Sequence, residues 1–458
     1  MVKIKKFVKD KNIGKEKKPV AGALPASAVK SKKAYNSLRG MHDILPREEK
    51  YWKTCFHSAE NLAEHFQFGR IETPILEEAG LFVRSIGRGT DVVDKEMYIF
   101  EDNDGDKVCL RPEATASVVR AFINHGMFNY PQPVKVWYWG QMFRHDRPQA
   151  GRYRQFHQVG FENFGDKDPA ADAELILIAY NIYKDLGVPV EIHINSIGNL
   201  EERGRYRAEL LNYYRGRRAY LCDDCKARLS KNPLRLLDCK ETQCQPIKEE
   251  APQIIDWLGE ESKKHFMRVL EYLDELAIPY ILRSSLVRGL DYYTNTVFEV
   301  YPITGEGTAQ SALGGGGRYD LLVEEMGGRP TPAVGMALGI ERSISVWKQY
   351  NDTNKIEMPV KRAEVFFAQL GEQARSRTMK IINDMRKSGL KVGFNFFKNS
   401  LKSQLELANN HKIPFAVILG QKEVQDGTAI IRDMESGVQE IVDQKKVESV
   451  IKKKLNKA

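Results

Sequence analysis

Apolar positions over residues 45–68 (LPREEKYWKTCFHSAENLAEHFQF) recur at helical spacing and predict a helix. The GRIETPIL that follows reads as a strand that Pro74 ends or kinks, since proline gives no donor to a ladder. KEMYIFED and KVCLRP are candidate strands on either side of the turn DNDGD. EATASVVRAFINHGM predicts a helix stopped at Gly126, and DPAADAELILIAYNIYKDLG an amphipathic helix with Asp at its start and Gly at its stop. Between these two helices, VKVWYWGQMFR and RYRQFHQVGFENFG alternate at period two and pair as a hairpin over an arginine-rich loop. Residues from about 200 to 282 are rich in Cys and charge, then helical, and read as an insertion. Strand-like stretches return with VRGLDYYTNTVFEVYP and TAQSALGGGGRYD.

From residue 362 the rhythm changes. AEVFFAQL, LKVGFNF and FAVILG are apolar runs of the buried-strand type, separated by the helices EQARSRTMKIINDMRKS and SLKSQLELANNH. Two more candidate strands and a Lys-rich helix close the chain. Such alternation predicts a three-layer α/β unit with a largely parallel centre. The polar stretch KQYNDTNKIEMPVKR, residues 348–362, reads as a linker. The expected architecture is an α+β body over 37–347, built on an antiparallel sheet with a helical insertion, followed by an α/β domain over 363–458.

A chain of 458 residues is too long for one ordinary core, in line with this division. Its 42% hydrophobic and 29% charged content is that of a globular protein. The longest apolar runs, AELILIAY and PFAVILG, fall far short of the roughly 20 residues a membrane span needs, so no membrane partner is expected. The first 33 residues hold eleven Lys against Asp10 and Glu16, a surplus of +9 that equals the formal charge of the whole chain. Residues 34–458 therefore sum to zero, and the basic balance does not argue that the folded body binds nucleic acid. The leader, residues 1–36, lacks a cleavage-type signal and Arg, and reads as a solvated, disordered arm, with phosphate attraction as the sharper alternative. Six cysteines in so long a chain fit a reducing compartment, the cytoplasm. Four of them, Cys222, Cys225, Cys239 and Cys244, have the spacing of a zinc ribbon, although charged residues, Asp among them, stand inside both knuckles where ribbons prefer turn residues.

No G-x-x-x-x-G-K-[ST] occurs, so a nucleotide here would not be held by a P-loop, and GGGG at 314–317 opens no helix. Guanidinium forks are the alternative phosphate ligands. Arg144, Arg147, Arg152 and Arg154 crowd one hairpin tip, and Arg288 and Arg342 stand beside candidate elements. Gln158, Gly160 and Glu162 share a strand face, and Gly160 leaves room there for a small zwitterionic or imidazole-bearing ligand. Glu113 and Thr115 sit at the mouth of a helix, where the dipole alone would explain the acid. Tyr292 and Tyr293 are expected on opposite faces of a strand.

Together these blocks resemble the histidyl-tRNA synthetases, class II aminoacyl-tRNA synthetases, from about residue 37 onwards. RGMHDILP resembles the family's opening, RIETPIL its motif 1, FRHDRPQAGRYRQFHQVGFENFG its motif 2 and AVGMALGIERSI its motif 3. LVRGLDYYTNTVFEV and ALGGGGRYD resemble the two blocks peculiar to the histidine enzyme. The resemblance implies a catalytic body over 37–347, an anticodon-binding domain over 363–458, and a homodimer. It implies ATP with Mg2+, L-histidine and tRNA(His) as partners. Arg144 and Arg342 would clamp ATP phosphates, with Asp146 and Arg152 at the same nucleotide. Arg288 would lie at the α-phosphate and the substrate carboxylate. Glu113, Thr115 and Gln158 would hold the α-ammonium, and Glu162 and Tyr293 the imidazole, in a pocket lined by Tyr292 and Tyr319. Motif 2 commonly has Glu where Asp146 stands, which leaves that residue's ATP contact open.

Three other readings compete. A regulatory or binding paralogue without charging activity would lose the LVRGLDYY block or the tail domain, and both are present. A synthetase for another amino acid gains nothing from Glu162. A nonspecific RNA-binding protein explains the leader and none of the polar residues placed on strand faces.

Overall fold

A computed structural model of the chain describes residues 35–87, 90–147, 151–303, 312–357 and 363–456. Nearly all of the Lys-rich leader lies outside the described residues. The chain divides into two compact units between Ile356 and Glu357.

The first unit is built on an eight-stranded sheet. Its strands run Gly69–Arg70, Val134–Phe143, Gln155–Phe164, Ala333–Gly339, Gly314–Arg318, Thr294–Pro302, Val190–Ser196 and Tyr280–Leu282 from edge to edge. The six central strands are antiparallel neighbours, and each short edge strand joins in parallel. The predicted hairpin forms with Phe143 opposite Gln155 and Val134 opposite Phe164. Leu76–Glu78, Lys107–Leu110 and Tyr98–Glu101 make a separate three-stranded sheet. GRIETPIL is thus two strands in two sheets, broken around Pro74, because a residue without an N–H cannot carry one ladder through. In KEMYIFED the ladder starts only at Tyr98, after a helical turn over Val92–Glu96.

The helix Pro169–Asp185 is capped by Asp168, whose carboxylate accepts from the Ala170 N–H at 2.8 Å. It is buried over most of its circumference, packed between the sheet and the helix Glu260–Glu275. Leu175, Ile176 and Ile178 are wholly buried, each contributing about 1.5–3 kcal/mol. Asp172 on the same helix is also fully buried, paired with Arg318 at the end of a central strand. Arg318 spends its remaining donors on the carbonyls of Asp166 (2.8 Å) and Asp168 (3.1 Å), which locks the helix start to the sheet, and on the Asp320 carboxylate (3.2 Å). Burial by itself would raise the Asp172 pKa, but the charge and hydrogen bonds of Arg318, joined by His265, together outweigh it and hold the carboxyl below its ordinary value. We expect Arg318→Leu to destabilise this unit by about 3–5 kcal/mol, since it strands a buried carboxylate. Because the folded pKa is depressed, the wild-type contribution is present at neutral pH and fades as pH falls below about 4. Thermal melting of the variant at pH 7 checks this, and an unchanged midpoint would refute it.

Two expectations need correction. Tyr292 and Tyr293 do not sit on opposite faces of a strand; the ladder begins at Thr294, and both rings are buried on one side, 4.7 Å apart. The cause is that the Asp291 N–H goes to the Ile86 carbonyl (3.2 Å), not to a sheet neighbour. The polar stretch read as a linker from residue 348 is helical to Asn354. Its helix is held by Trp347 and Asn351, buried four residues apart, and by Lys348 on Glu48 at 2.8 Å.

The second unit has a five-stranded sheet in the order Val392–Phe394, Val365–Gln369, Phe415–Leu419, Thr428–Asp433, Gln439–Asp443. The first three are parallel and the last two join antiparallel. Alternate residues of Val365–Gln369 feed two cores. Val365 and Phe367 pack with Ile381 and Met385 on one face, and Phe366 and Ala368 with Ala408 and Ile413 on the other. That is the three-layer arrangement the alternation predicts.

Candidate active site

A cleft of about 550 Å³ opens over the first unit's central strands. Its floor is Gly314–Arg318 and Ala333–Gly339, where the tetraglycine is not a phosphate loop but the middle of a sheet. Gly315 stands opposite Glu299, and a Cβ there would run into the Phe298 carbonyl and lie 2.9 Å from Arg288 Nη1. The missing side chain therefore lets Arg288 lie across the strand. Arg288 donates to Glu299, which also accepts from the Tyr301 hydroxyl at 2.8 Å. Burial, the largest single influence, disfavours its charge, but the Glu299 carboxylate together with Tyr293 and Tyr292 outweighs it and keeps Arg288 a cation. Its Nε has no partner among the described residues.

Arg144, Asp146, Arg152, Arg288 and Arg342 all line this one cleft, with Glu113, Thr115, Gln158, Tyr292, Tyr293 and Tyr319. Glu113 caps the helix Thr115–Asn124, accepting from the N–H groups of Thr115 (2.7 Å) and Ala116 (3.0 Å). Gln158 Oε1 is buried without a partner among the described residues. Glu162 differs from the rest. It is fully buried beneath the cleft, accepting from the Thr115 hydroxyl at 2.7 Å and from the Tyr319 hydroxyl. Its carboxylate occupies the place of a Gly335 side chain, and a Cβ there would collide with it. Burial is the main cause that pushes its pKa up to about 8, so it holds a proton for much of the time at neutral pH. The room expected at Gly160 is not open either, because Tyr138 on the neighbouring strand fills it. Sequence spacing could not show this, since Tyr138 is placed there by hairpin register.

At the hairpin, Arg144 Nε donates to the Pro112 carbonyl (2.8 Å), and its N–H to the Arg154 carbonyl (2.9 Å). Asp146 braces the loop itself, accepting from the Arg147 N–H (2.6 Å) and from Arg152 Nη1 (3.3 Å). Residues 148–150 lie outside the described residues. Arg342 holds the carbonyls of Gly151 (3.3 Å) and Ala312. Its pKa is lowered, first by burial and then by the charges of Arg152 and Arg144 nearby. Three guanidiniums that repel one another in a half-buried cleft form a sink for a polyanion.

Several cleft residues carried little sequence signal. Glu299 and Tyr301 alternate within the apolar VFEVY, which could have singled them out. Glu341 accepts from the His157 N–H (2.8 Å) and approaches its Nδ1 at 2.8 Å. Arg228, Arg235, Asp238 and Lys240 come from the insertion, and no local pattern ties them to strands some 60 residues away.

Among known proteins, residues 40–201 and 232–342 match the family described as histidyl-tRNA synthetase, and residues 364–454 an anticodon binding domain. A histidine–tRNA ligase of Dehalococcoides mccartyi is 45% identical over 422 residues, 92% of this chain and all of that protein. One from Desulforamulus reducens is 43% identical over 416 residues, 90% of this chain and 98% of its own length. The crystal structure of apo S. aureus histidyl-tRNA synthetase superposes with a TM-score of 0.76 at 32% identity, covering 92% of this chain and 100% of that one.

Proposed function

The chain belongs to the histidyl-tRNA synthetase family, and on that premise we propose how its cleft performs the family's reaction. L-histidine attacks the α-phosphorus of ATP through a carboxylate oxygen, and pyrophosphate leaves. The histidyl-adenylate then gives its acyl group to a hydroxyl of the cognate tRNA, and AMP leaves. The observation that supports the residue roles is a pair of unsatisfied groups at one cleft: Gln158 Oε1, an acceptor, and Arg288 Nε, a donor on a cation. A zwitterionic amino acid supplies an ammonium for the first and a carboxylate for the second. Glu113 adds negative charge on the ammonium side. Tyr292, Tyr293 and Tyr319 enclose the side chain, and Glu162, reached through Tyr319, sets the polarity of the imidazole end.

Arg144, Arg152 and Arg342 take the β- and γ-phosphates. In this reading Arg152 exchanges its Asp146 partner, 45% exposed as it is, for ATP. No prebuilt carboxylate cluster for a metal exists among the described residues, and Glu299 and Glu341 are each already hydrogen-bonded to protein. These residues fit magnesium that enters with the nucleotide, held mainly by phosphate oxygens and water. When bound, the ion neutralises phosphate charge.

We also read the protein as a cytoplasmic homodimer. The three-stranded sheet presents exposed Leu76 and Phe100 on one face, an apolar surface suited to a second copy. No helix of the described residues is long and apolar enough to cross a membrane. The second unit would engage the anticodon region of tRNA(His). ATP–pyrophosphate exchange without tRNA tests the assignment: histidine alone among the amino acids should support it. Charging of tRNA should weaken steeply between about 50 and 200 mM salt, because phosphate contacts release counterions. Exchange supported equally by another amino acid, or charging insensitive to salt, would overturn these readings.

A further inference from the structure

The four insertion cysteines come from three separate segments. Cys222 and Cys225 flank the start of the helix Asp223–Lys231, Cys239 follows the turn Pro233–Leu236, and Cys244 ends the turn Thr242–Cys244. Their four sulfur atoms nevertheless lie within 4.8 Å of one another. Cys222 and Cys239 Sγ are 3.8 Å apart, about the edge of a tetrahedron whose centre is ~2.3 Å from each sulfur, the zinc–thiolate distance. Cys225, Cys239 and Cys244 are buried, and Cys222 is half-buried. None of the six cysteines is in a disulfide.

Backbone N–H groups point at two of these sulfurs. The Cys225 N–H points at Cys222 Sγ (3.4 Å), and the Cys222 N–H at Cys244 Sγ (3.3 Å). Such donors orient thiolate ligands and share their charge. The Cys222–Cys225 knuckle is also the first turn of a helix, whose dipole favours thiolate. This explains why Asp223 and Asp224 stand inside it in place of turn residues: they are first-turn acids. A purely apolar core would gain more from aliphatic side chains than from four converging thiols.

We propose that Cys222, Cys225, Cys239 and Cys244 hold one zinc ion, and that this ion positions the insertion's wall of the catalytic cleft. Cys239 lies between Asp238 and Lys240, both of which line the cleft. Arg235 Nη1 holds Asp238 at 3.0 Å. Arg228, on the helix that Cys222 caps, reaches Asp91, another residue lining the cleft, at 3.3 Å. Asn232 Nδ2 bonds Asp291 at 3.1 Å, three residues from Arg288. The ion thus ties three segments together directly under residues that face the ligand. The second half of the proposal rests on the cleft being the synthetase site; the first half does not.

The test uses the full, untagged chain purified in reducing, chelator-free buffer. Elemental analysis should find about one zinc per chain, released when a mercurial titrates about four thiols. Cys239→Ser with Cys244→Ser should lose the zinc and raise KM for ATP or histidine in the exchange assay about tenfold, with a smaller change in kcat. Cys222→His, which keeps a Cys3His ligand set, should retain zinc and near-normal KM even if the double serine variant misfolds. Wild type with under a tenth of a zinc per chain and no uptake of added zinc sulfate would overturn the site, as would iron in its place or a disulfide among the four. A zinc-loaded wild type and a zinc-free, folded double variant with unchanged KM would overturn the positioning role alone.

Discussion

Replacing Arg288 by alanine is expected to slow histidine-dependent ATP–pyrophosphate exchange by about a thousandfold, ~4 kcal/mol of transition-state stabilisation. The guanidinium lies across Gly315 with Nε unengaged, and in the proposed reaction charge builds beside it on the α-phosphoryl oxygens. The loss should fall mainly on kcat, because that charge is greatest in the transition state. The substitution also strands Glu299, so Arg288→Ala combined with Glu299→Gln serves as the folded control. Arg288→Lys should fall between, since it keeps a charge and loses the planar fork. Exchange within tenfold of wild type in the alanine variant would remove Arg288 from the chemistry.

The second large effect belongs to Glu162. In the free protein both carboxylate oxygens accept from hydroxyls, of Thr115 and Tyr319. Glu162→Gln replaces a carboxyl that can lose its proton by an amide that stays neutral, so no negative charge can form beneath the cleft when a cation binds. We expect kcat/KM for histidine to drop about a hundredfold, with ATP affinity little changed. The raised pKa adds a second signature. The unfolded carboxyl titrates near its ordinary 4.5 and the folded one near 8, so the folded state holds the extra proton in between. Stability from this group is complete below the lower value and is lost as pH rises through the upper one, roughly 3–5 kcal/mol in all. Glu162→Gln should flatten that slope. A cationic group of bound histidine should drive the proton off Glu162. Calorimetry in buffers of different ionisation enthalpy should therefore show more proton release on histidine binding for wild type than for the variant near pH 7. Equal release in both would mean that Glu162 does not sense the ligand.

Much of this site was legible in the sequence because its signals are local. The period-two alternation of residues 134–164 pointed to the hairpin, and two of the four arginines at its tip, Arg144 and Arg152, line the cleft. The switch to apolar runs divided by helices after 362 gave the tail its layers. What escaped was set by partners far along the chain. Gly160 looks like a gap until register places Tyr138 over it. Glu162 looks like an open ligand on a strand face, yet Thr115 and Tyr319 enclose it. The knuckle Cys222–Cys225 looks wrong for a metal until it is seen as a helix start. Asp238 and Lys240 reach the cleft only because the insertion folds back on it.

The glycine floor has a consequence for anyone who wishes to recode this enzyme for another amino acid. Gly315 and Gly335 give up their side-chain volume to Arg288 and Glu162, so each is tied to a partner and cannot be varied alone. A mutational library spent on the floor would mostly return unfolded protein. The adjustable surface is the wall of tyrosines and the insertion loop. There a new pocket shape can be sampled while the backbone strands that carry the chemistry stay in place.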